Sequence, residues 1–230
     1  MLKEWLELPE IMRNDEVKKY YDILYRKKIS LFIKRIFDIL ASVCLLVVLS
    51  PVLLFISIWI TFDSKGPVFY RQERVTQYGR VFRIFKFRTM IVDADKLGSS
   101  VTVENDQRIT KVGMKIRRLR LDELPQLINV LNGDMSFVGA RPEVKKYVDG
   151  YSNEMLATLL LPAGITSIAS INFKNEDELI SSLLDGKETV DHIYIKEILP
   201  KKMAFNLEYI RDFKFTNDLK ICLNTLLIGR

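Results

Sequence analysis

IFDILASVCLLVVLSPVLLFISIWITF, residues 36–62, decides how this chain is built. Apart from Asp38 and scattered Ser, Pro and Thr it is apolar, and about 20 such residues suffice to cross a bilayer as a helix. The run starts too late and extends too far for a cleavable leader, and no small-residue cleavage pattern follows, so it is expected to stay in the mature protein. Both flanks are basic: Arg26, Lys27, Lys28, Lys34 and Arg35 come before it, and Lys65, Arg71, Arg74, Arg80 and Arg83 come after. Cations beside a membrane segment favour the cytoplasmic side, so both ends ask for the same face. Ser50-Pro51 falls near the middle, where proline removes a backbone hydrogen bond and kinks or breaks a helix. A helix-break-helix that enters and leaves through one face meets both demands; a kinked single-pass anchor stays open on these residues alone. Asp38, near the membrane edge, reads as an interfacial cap or an ion-pair partner of Lys34 or Arg35.

Towards the N-terminus, Trp5, Leu6, Leu8 and Ile11 lead into a charged stretch where Val17, Tyr20, Tyr21 and Leu24 recur at helical spacing. Residues 1–30 therefore read as an amphipathic extension lying on the membrane surface or on the domain. Beyond the apolar run, Gly66-Pro67 punctuates the chain, and residues 68–74 and 81–88, joined by a polar turn with Gly79, predict a β-hairpin. The second arm interleaves Arg83, Lys86 and Arg88 with aromatics. That pattern suits single-stranded nucleic acid or, more simply, a strand with one packed and one solvated basic face. Residues 93–108 read as a polar loop, and residues 111–120 as a cationic segment. Leu127, Ile128 and Leu131 then describe a helix between Pro125 and Gly133. Residues 144–161 read as one helix, 175–184 as another, and 191–230 as amphipathic and helical.

A chain of 230 residues allows one domain with a core plus an added element. Lys and Arg number 35 against 29 Asp and Glu, a formal charge of +6 that favours anionic partners. Cys44 and Cys222 are the two cysteines, too few for a disulfide framework, and His192 is the one histidine. Zinc chemistry and a Ser-His or Cys-His nucleophile are thereby disfavoured, which leaves carboxylates and cations. Asp122-Glu123 directly follows the cationic segment at the expected start of a helix, where free N–H groups stabilise negative charge. Such a pair can hold a hard cation while neighbouring Lys and Arg hold phosphate oxygens, leaving one carboxylate to attack phosphorus. Taken alone, Asp122 reads more readily as an ordinary N-cap, and Asp134 and Arg141 as ordinary turn and surface residues.

Residues 121–142, LDELPQLINVLNGDMSFVGARP, resemble the signature of the bacterial sugar transferases, the monotopic polyprenyl-phosphate phosphoglycosyl transferases. The resemblance extends to Lys34-Arg35-Ile36-Phe37-Asp38, Ser50-Pro51, Gly66-Pro67-Val68-Phe69-Tyr70-Arg71-Gln72 and Phe85-Lys86-Phe87-Arg88-Thr89-Met90, and spans residue 29 to the C-terminus. It implies an α+β, predominantly helical, monotopic membrane protein. Residues 1–30 would be the N-terminal extension and 31–64 the re-entrant helix. Residues 65–230 would form a catalytic domain on the cytoplasmic face of the bacterial inner membrane, with a β-hairpin and amphipathic interfacial helices. The implied reaction moves a sugar 1-phosphate from a UDP-sugar to undecaprenyl phosphate, releasing UMP through a ping-pong phosphoryl transfer. The family pattern casts Asp122 as nucleophile and Glu123 as Mg²⁺ ligand. It makes Lys86, Arg88, Arg117 and Arg141 phosphate contacts, and Asp191 and Tyr194 supporting residues. Bacterial membrane lipids are expected partners, nucleic acid is not, and homo-oligomerisation is left open. Chain length suits the small members, which lack added N-terminal membrane helices and a nucleotide-binding domain.

Two departures stand out. Ala140 replaces the usual proline before Arg141, and residues 161–172, LPAGITSIASIN, lack the family's Trp and Gln, which puts the sugar in question. Two competing readings remain: a polyprenyl-phosphate enzyme that attaches a bare sugar and releases UDP, and a membrane-tethered basic protein binding anionic lipid or nucleic acid.

Overall fold

The structure is a computed structural model that describes residues 2–94, 97, 106–184 and 188–228; of the expected 93–108 loop, positions 95, 96 and 98–105 lie outside the described residues. The apolar run forms one helix, α2 (Lys28–Asp63), which continues through Pro51. Its 36 residues follow a path of about 54 Å. The expected break into two helices does not occur, for a local reason. Pro51 has no N–H for the Val47 carbonyl, and the Ser50 hydroxyl donates to that same oxygen at 2.8 Å. Replacing the lost donor from within the helix lets the apolar segment keep its backbone satisfied.

Both ends of α2 are rooted in the same globular body. Near the start, Lys34 donates to Val138 O, Arg35 to Val130 O and Leu131 O, and Asp38 accepts from the Phe137 amide at 3.1 Å. Near the finish, Ile56 and Ile60 pack with Phe87, Val112 and Ile116. Between these roots Val43, Leu45, Val47, Val48, Leu54 and Phe55 are exposed, so the middle of the helix is an uncovered apolar surface.

Upstream, α1 (Asp15–Tyr25) is capped by Asn14, which accepts from the Val17 amide. Val17, Tyr20, Tyr21 and Leu24 are buried with Leu156, Ala157, Leu160, Leu207 and Phe213, so this helix lies on the domain and shares its core.

The hairpin forms as expected: β1 (Phe69–Val75) pairs antiparallel with β2 (Val81–Phe87), with Lys86 opposite Tyr70. Then come α3 (Lys111–Arg118), α4 (Gln126–Asn132) and a second sheet that local pattern does not announce, β3 (Met135–Val138) parallel to β4 (Ala163–Thr166). Strands of four residues carry too little alternation to read. Just past β3, the backbones of Gly139 and Gly164 touch: a Cβ on Gly164 would lie 2.2 Å from the Gly139 nitrogen.

The single helix expected over 144–161 is instead α5 (Lys145–Val148) and a tight turn, Met155–Leu160. Gly150, Ser152 and Asn153 interrupt it, with Ser152 Oγ accepting from the Met155 amide. The chain continues as α6 (Ile168–Asn172) and α7 (Glu176–Leu183). The C-terminal stretch divides into α8 (Val190–Ile193), a widened turn Tyr194–Ile198, α9 (Leu199–Arg211) and α10 (Phe215–Ile228). Pro200 sits in the first turn of α9, where its missing N–H is tolerated and the preceding turn is released from α-helical bonding.

Candidate active site

Two residues past α3 comes Arg120, whose left-handed backbone (φ 55°) is a costly conformation for a side-chain-bearing residue. That reversal turns the chain into the short 3₁₀ turn Leu121–Glu123, which carries the carboxylate pair ahead of α4. The expected placement at a helix start is thereby corrected. The residue flanking α4 is Pro125, and neither carboxylate caps its amides. Side-chain cations compensate the Glu123 charge instead.

Asp122 and Glu123 are 7% and 9% exposed. Glu123 Oε1 accepts from Arg141 at 2.6 Å and from Lys86 Nζ at 3.0 Å. Burial pushes Glu123 up, but the Arg141 guanidinium and Lys86 ammonium outweigh it and hold the carboxyl well below its usual range. For Asp122 the balance is reversed: burial, then the adjacent Glu123 charge, raise it against Lys86, Arg117 and Arg141. Asp122 Oδ1 is buried with no hydrogen-bond partner among the described residues. Such orphaned groups are rare and costly, and a reacting partner is one reason to keep them. Lys86 and Arg141 keep 21% and 31% of their side-chain surface exposed, so the cluster opens to solvent on the cation side.

The scaffold explains these positions. Asn129 on α4 accepts from the Phe85 amide at 2.8 Å and donates to Arg83 O at 3.1 Å, which pins β2 and hence Lys86 over the dyad. Arg141 follows the Gly139-Gly164 contact, where Gly164 N donates to Ala140 O at 2.8 Å. Arg74 donates to Pro142 O at 3.2 Å and steadies the same loop.

The other expected site residues divide. Arg117 lies at the edge of the cluster, 3.8 Å from Asp177. Arg88 is directed elsewhere: its guanidinium donates to Ser64 O at 2.6 Å and Lys65 O at 2.5 Å, closing the C-terminal end of α2. β2 ends at Phe87, so the alternation that would put Arg88 on the Lys86 face stops one residue short. Asp191 pairs with Lys146 and accepts from the Tyr147 hydroxyl, while Tyr194 donates to Glu143, in a separate cluster. Sequence reasoning missed Arg74, Asn129, Glu143 and Asp177. Polar residues on the buried face of α4, Gln126 and Asn129, were a local signal.

Residues 29–229 match the family model described as bacterial sugar transferase. The chain belongs to that family. It is 46% identical over 197 residues to the UDP-N-acetylgalactosamine-undecaprenyl-phosphate N-acetylgalactosaminephosphotransferase of Aeromonas hydrophila, covering 85% of this chain and 43% of the relative. Identity to the UDP-glucose:undecaprenyl-phosphate glucose-1-phosphate transferase of Escherichia coli (strain K12) is 37%, covering 86% and 40%. To the Caulobacter vibrioides protein of that same name it is 35%, covering 84% and 68%. The chain thus spans about two fifths of the first two relatives. The family match begins after α1, although that helix is part of the core.

Proposed function

We propose that this chain transfers a sugar 1-phosphate from a UDP-sugar to undecaprenyl phosphate, yielding the polyprenyl diphosphate sugar and UMP. The observation that carries the reading is the asymmetry of the dyad: Glu123 is locked between Arg141 and Lys86, and Asp122 Oδ1 is buried and unpaired among the described residues. An unpaired carboxylate whose charge is held in a poorly solvated site is a competent nucleophile. Asp122 attacks the sugar-bearing phosphorus, forming an acyl phosphate and breaking the bond to the bridging oxygen, which departs on UMP. A phosphate oxygen of undecaprenyl phosphate then attacks the same phosphorus and regenerates the Asp122 carboxylate. Nucleophiles and leaving groups are all anions, so no general base is needed. Lys86 and Arg141 neutralise phosphate charge, and Arg117 approaches from the α7 side.

Among the described residues no group of three or more His, Cys, Asp or Glu assembles. The Glu123 oxygen that takes neither Arg141 nor Lys86 would hold a Mg²⁺ ion, with water and substrate phosphate oxygens completing its shell. Bound there, it supplies charge screening between carboxylates and diphosphate.

The uncovered middle of α2, with both ends rooted in one body and basic residues on both flanks, supports an unbroken helix seated in the bilayer with both ends on one face, re-entrant without the helix-break-helix. The inner-membrane, cytoplasmic-face setting follows from that reading and from the acceptor. Single cysteines near Lys28 and Lys65 are expected to label from the same side, and labelling from opposite sides removes the re-entrant geometry.

The reaction is tested by incubating detergent-solubilised chain with Mg²⁺, undecaprenyl phosphate and a panel of UDP-sugars beginning with UDP-N-acetylgalactosamine and UDP-glucose. UMP release that disappears in Asp122→Asn is expected. UDP release, or full activity in the variant, overturns the mechanism, and loss of function only on charge reversal along 83–88 favours a lipid- or nucleic-acid-binding protein instead.

A further inference from the structure

Behind Arg141 lies a buried set of titratable groups that the phosphoryl-transfer scheme does not use. Lys202, on α9, is 3% exposed. Its Nζ donates to Tyr194 Oη at 2.9 Å and Glu176 Oε2 at 3.0 Å, and lies 3.6 Å from Glu143 Oε1. Tyr194 Oη donates in turn to Glu143 Oε1 at 2.5 Å, and the Tyr147 ring packs on Tyr194 with centroids 4.8 Å apart.

These three partners come from three parts of the fold. Glu143 stands two residues after Arg141. Glu176 opens α7 next to Asp177, the carboxylate that faces Arg117. Tyr194 belongs to the widened turn before α9. One ammonium therefore ties the loop that presents Arg141 to the helix whose Asp177 faces Arg117. The fields of Glu143 and Glu176 also reach Arg141, adding to that of Glu123. Burying an ammonium carries a desolvation penalty that an apolar side chain of similar length would avoid, so packing alone is a poor reason for a lysine here.

We infer that Lys202 is a positioning residue that sets the spacing between Arg141 and Arg117, and so the fit of the site to a nucleoside diphosphate. The inference rests on the proposed reaction only for the identity of that ligand. Lys202 touches neither the dyad nor substrate, so its loss is read as weakened binding rather than lost chemistry.

The test compares wild type with Lys202→Met, Lys202→Arg and Glu176→Ala, as full chains in detergent. Calorimetry with UDP and with inorganic pyrophosphate gives Kd, and UMP release gives donor KM and kcat. Lys202→Met is expected to weaken UDP binding about tenfold, or ~1.4 kcal/mol, and to raise donor KM equally while kcat stays within about threefold. Lys202→Arg is expected to recover most of the loss, because it keeps the charge and several donors. Unchanged UDP affinity in Lys202→Met, or in Glu176→Ala should the first variant not fold, overturns the inference. A lower melting temperature and smaller active fraction with unchanged Kd assigns Lys202 to structure alone and also overturns it. Absence of UDP and pyrophosphate binding in wild type has the same effect. Weakened binding in the variants of a wild type that releases no UMP leaves the positioning role standing and removes the reaction.

Discussion

Two buried ion-pair clusters in this chain are built on opposite plans. At the root of α2, Lys34 meets Asp218 at 2.6 Å, with side chains 5% and 3% exposed, and the remaining hydrogen bonds close on Val138 O and Tyr209. Lys34 pairs with Asp218 and also faces the buried Asp38, whose carboxylate is held by the Phe137 amide. At the dyad, Glu123 alone takes both Arg141 and Lys86, Asp122 Oδ1 is left without a partner, and the cations reach solvent. The first arrangement has nothing left to bind and serves as a fastening between α2 and α10. The second has unspent charge of both signs, the condition for receiving a phosphate and delivering a nucleophile to it.

The largest expected effect comes from removing the unpaired carboxylate. Asp122→Asn is predicted to lower UMP release by about 10⁴-fold or more, as loss of a covalent nucleophile does, while raising the melting temperature because an uncompensated buried charge disappears. Activity above a tenth of wild type would erase the functional side of the contrast. Next comes the closed pair: Lys34→Met strands Asp218 and is expected to cost about 3–5 kcal/mol in denaturant unfolding. Adding Asp218→Leu should recover most of it, with kcat per folded molecule little changed in the double variant. Third, Arg141→Ala is expected to reduce kcat/KM about 10²–10³-fold, the scale for losing one preorganised electrostatic contact, with a smaller stability change than Lys34→Met.

The smallest effect is in pH dependence. Burial raises Asp122 above its ordinary 3.8, so the acid limb of kcat/KM should fall above that value. Glu123 contributes in the opposite sense. Its depressed titration adds stability that is full above the ordinary value of 4.5 and is lost as pH falls towards the shifted one. The cost of the Asp122 charge is relieved over the higher window, as pH falls through its raised value. An acid limb below 3.8 would exchange the roles of the two carboxylates.

Much of this was legible from one-dimensional pattern. The α1 face of Val17, Tyr20, Tyr21 and Leu24, the hairpin, and the Pro125 to Gly133 helix follow from spacing and end signals that act within a few residues. The dyad was singled out by its cationic neighbourhood and its family signature. Its misreading as a helix start came from the short range of such signals: Arg120 in the left-handed region moved Asp122 and Glu123 onto a turn of their own. Arg88, which the family resemblance casts as a phosphate contact, lies past the end of β2 and donates to the end of α2.

Composition and order sufficed for the long apolar helix, the amphipathic faces and the residue types available for chemistry, because hydrophobic periodicity and backbone chemistry are local. Contacts between distant segments decided the rest. Glu123 is an ion-pair acceptor, and Asp122 is left unpaired, only because β2, the Gly139-Gly164 contact and the turn at Leu121–Glu123 converge. Lys86 and Glu123 are 37 residues apart in the chain, and Lys34 and Asp218 are 184 apart. No sequence pattern states such a distance, since which charge finds which partner is settled by packing in three dimensions.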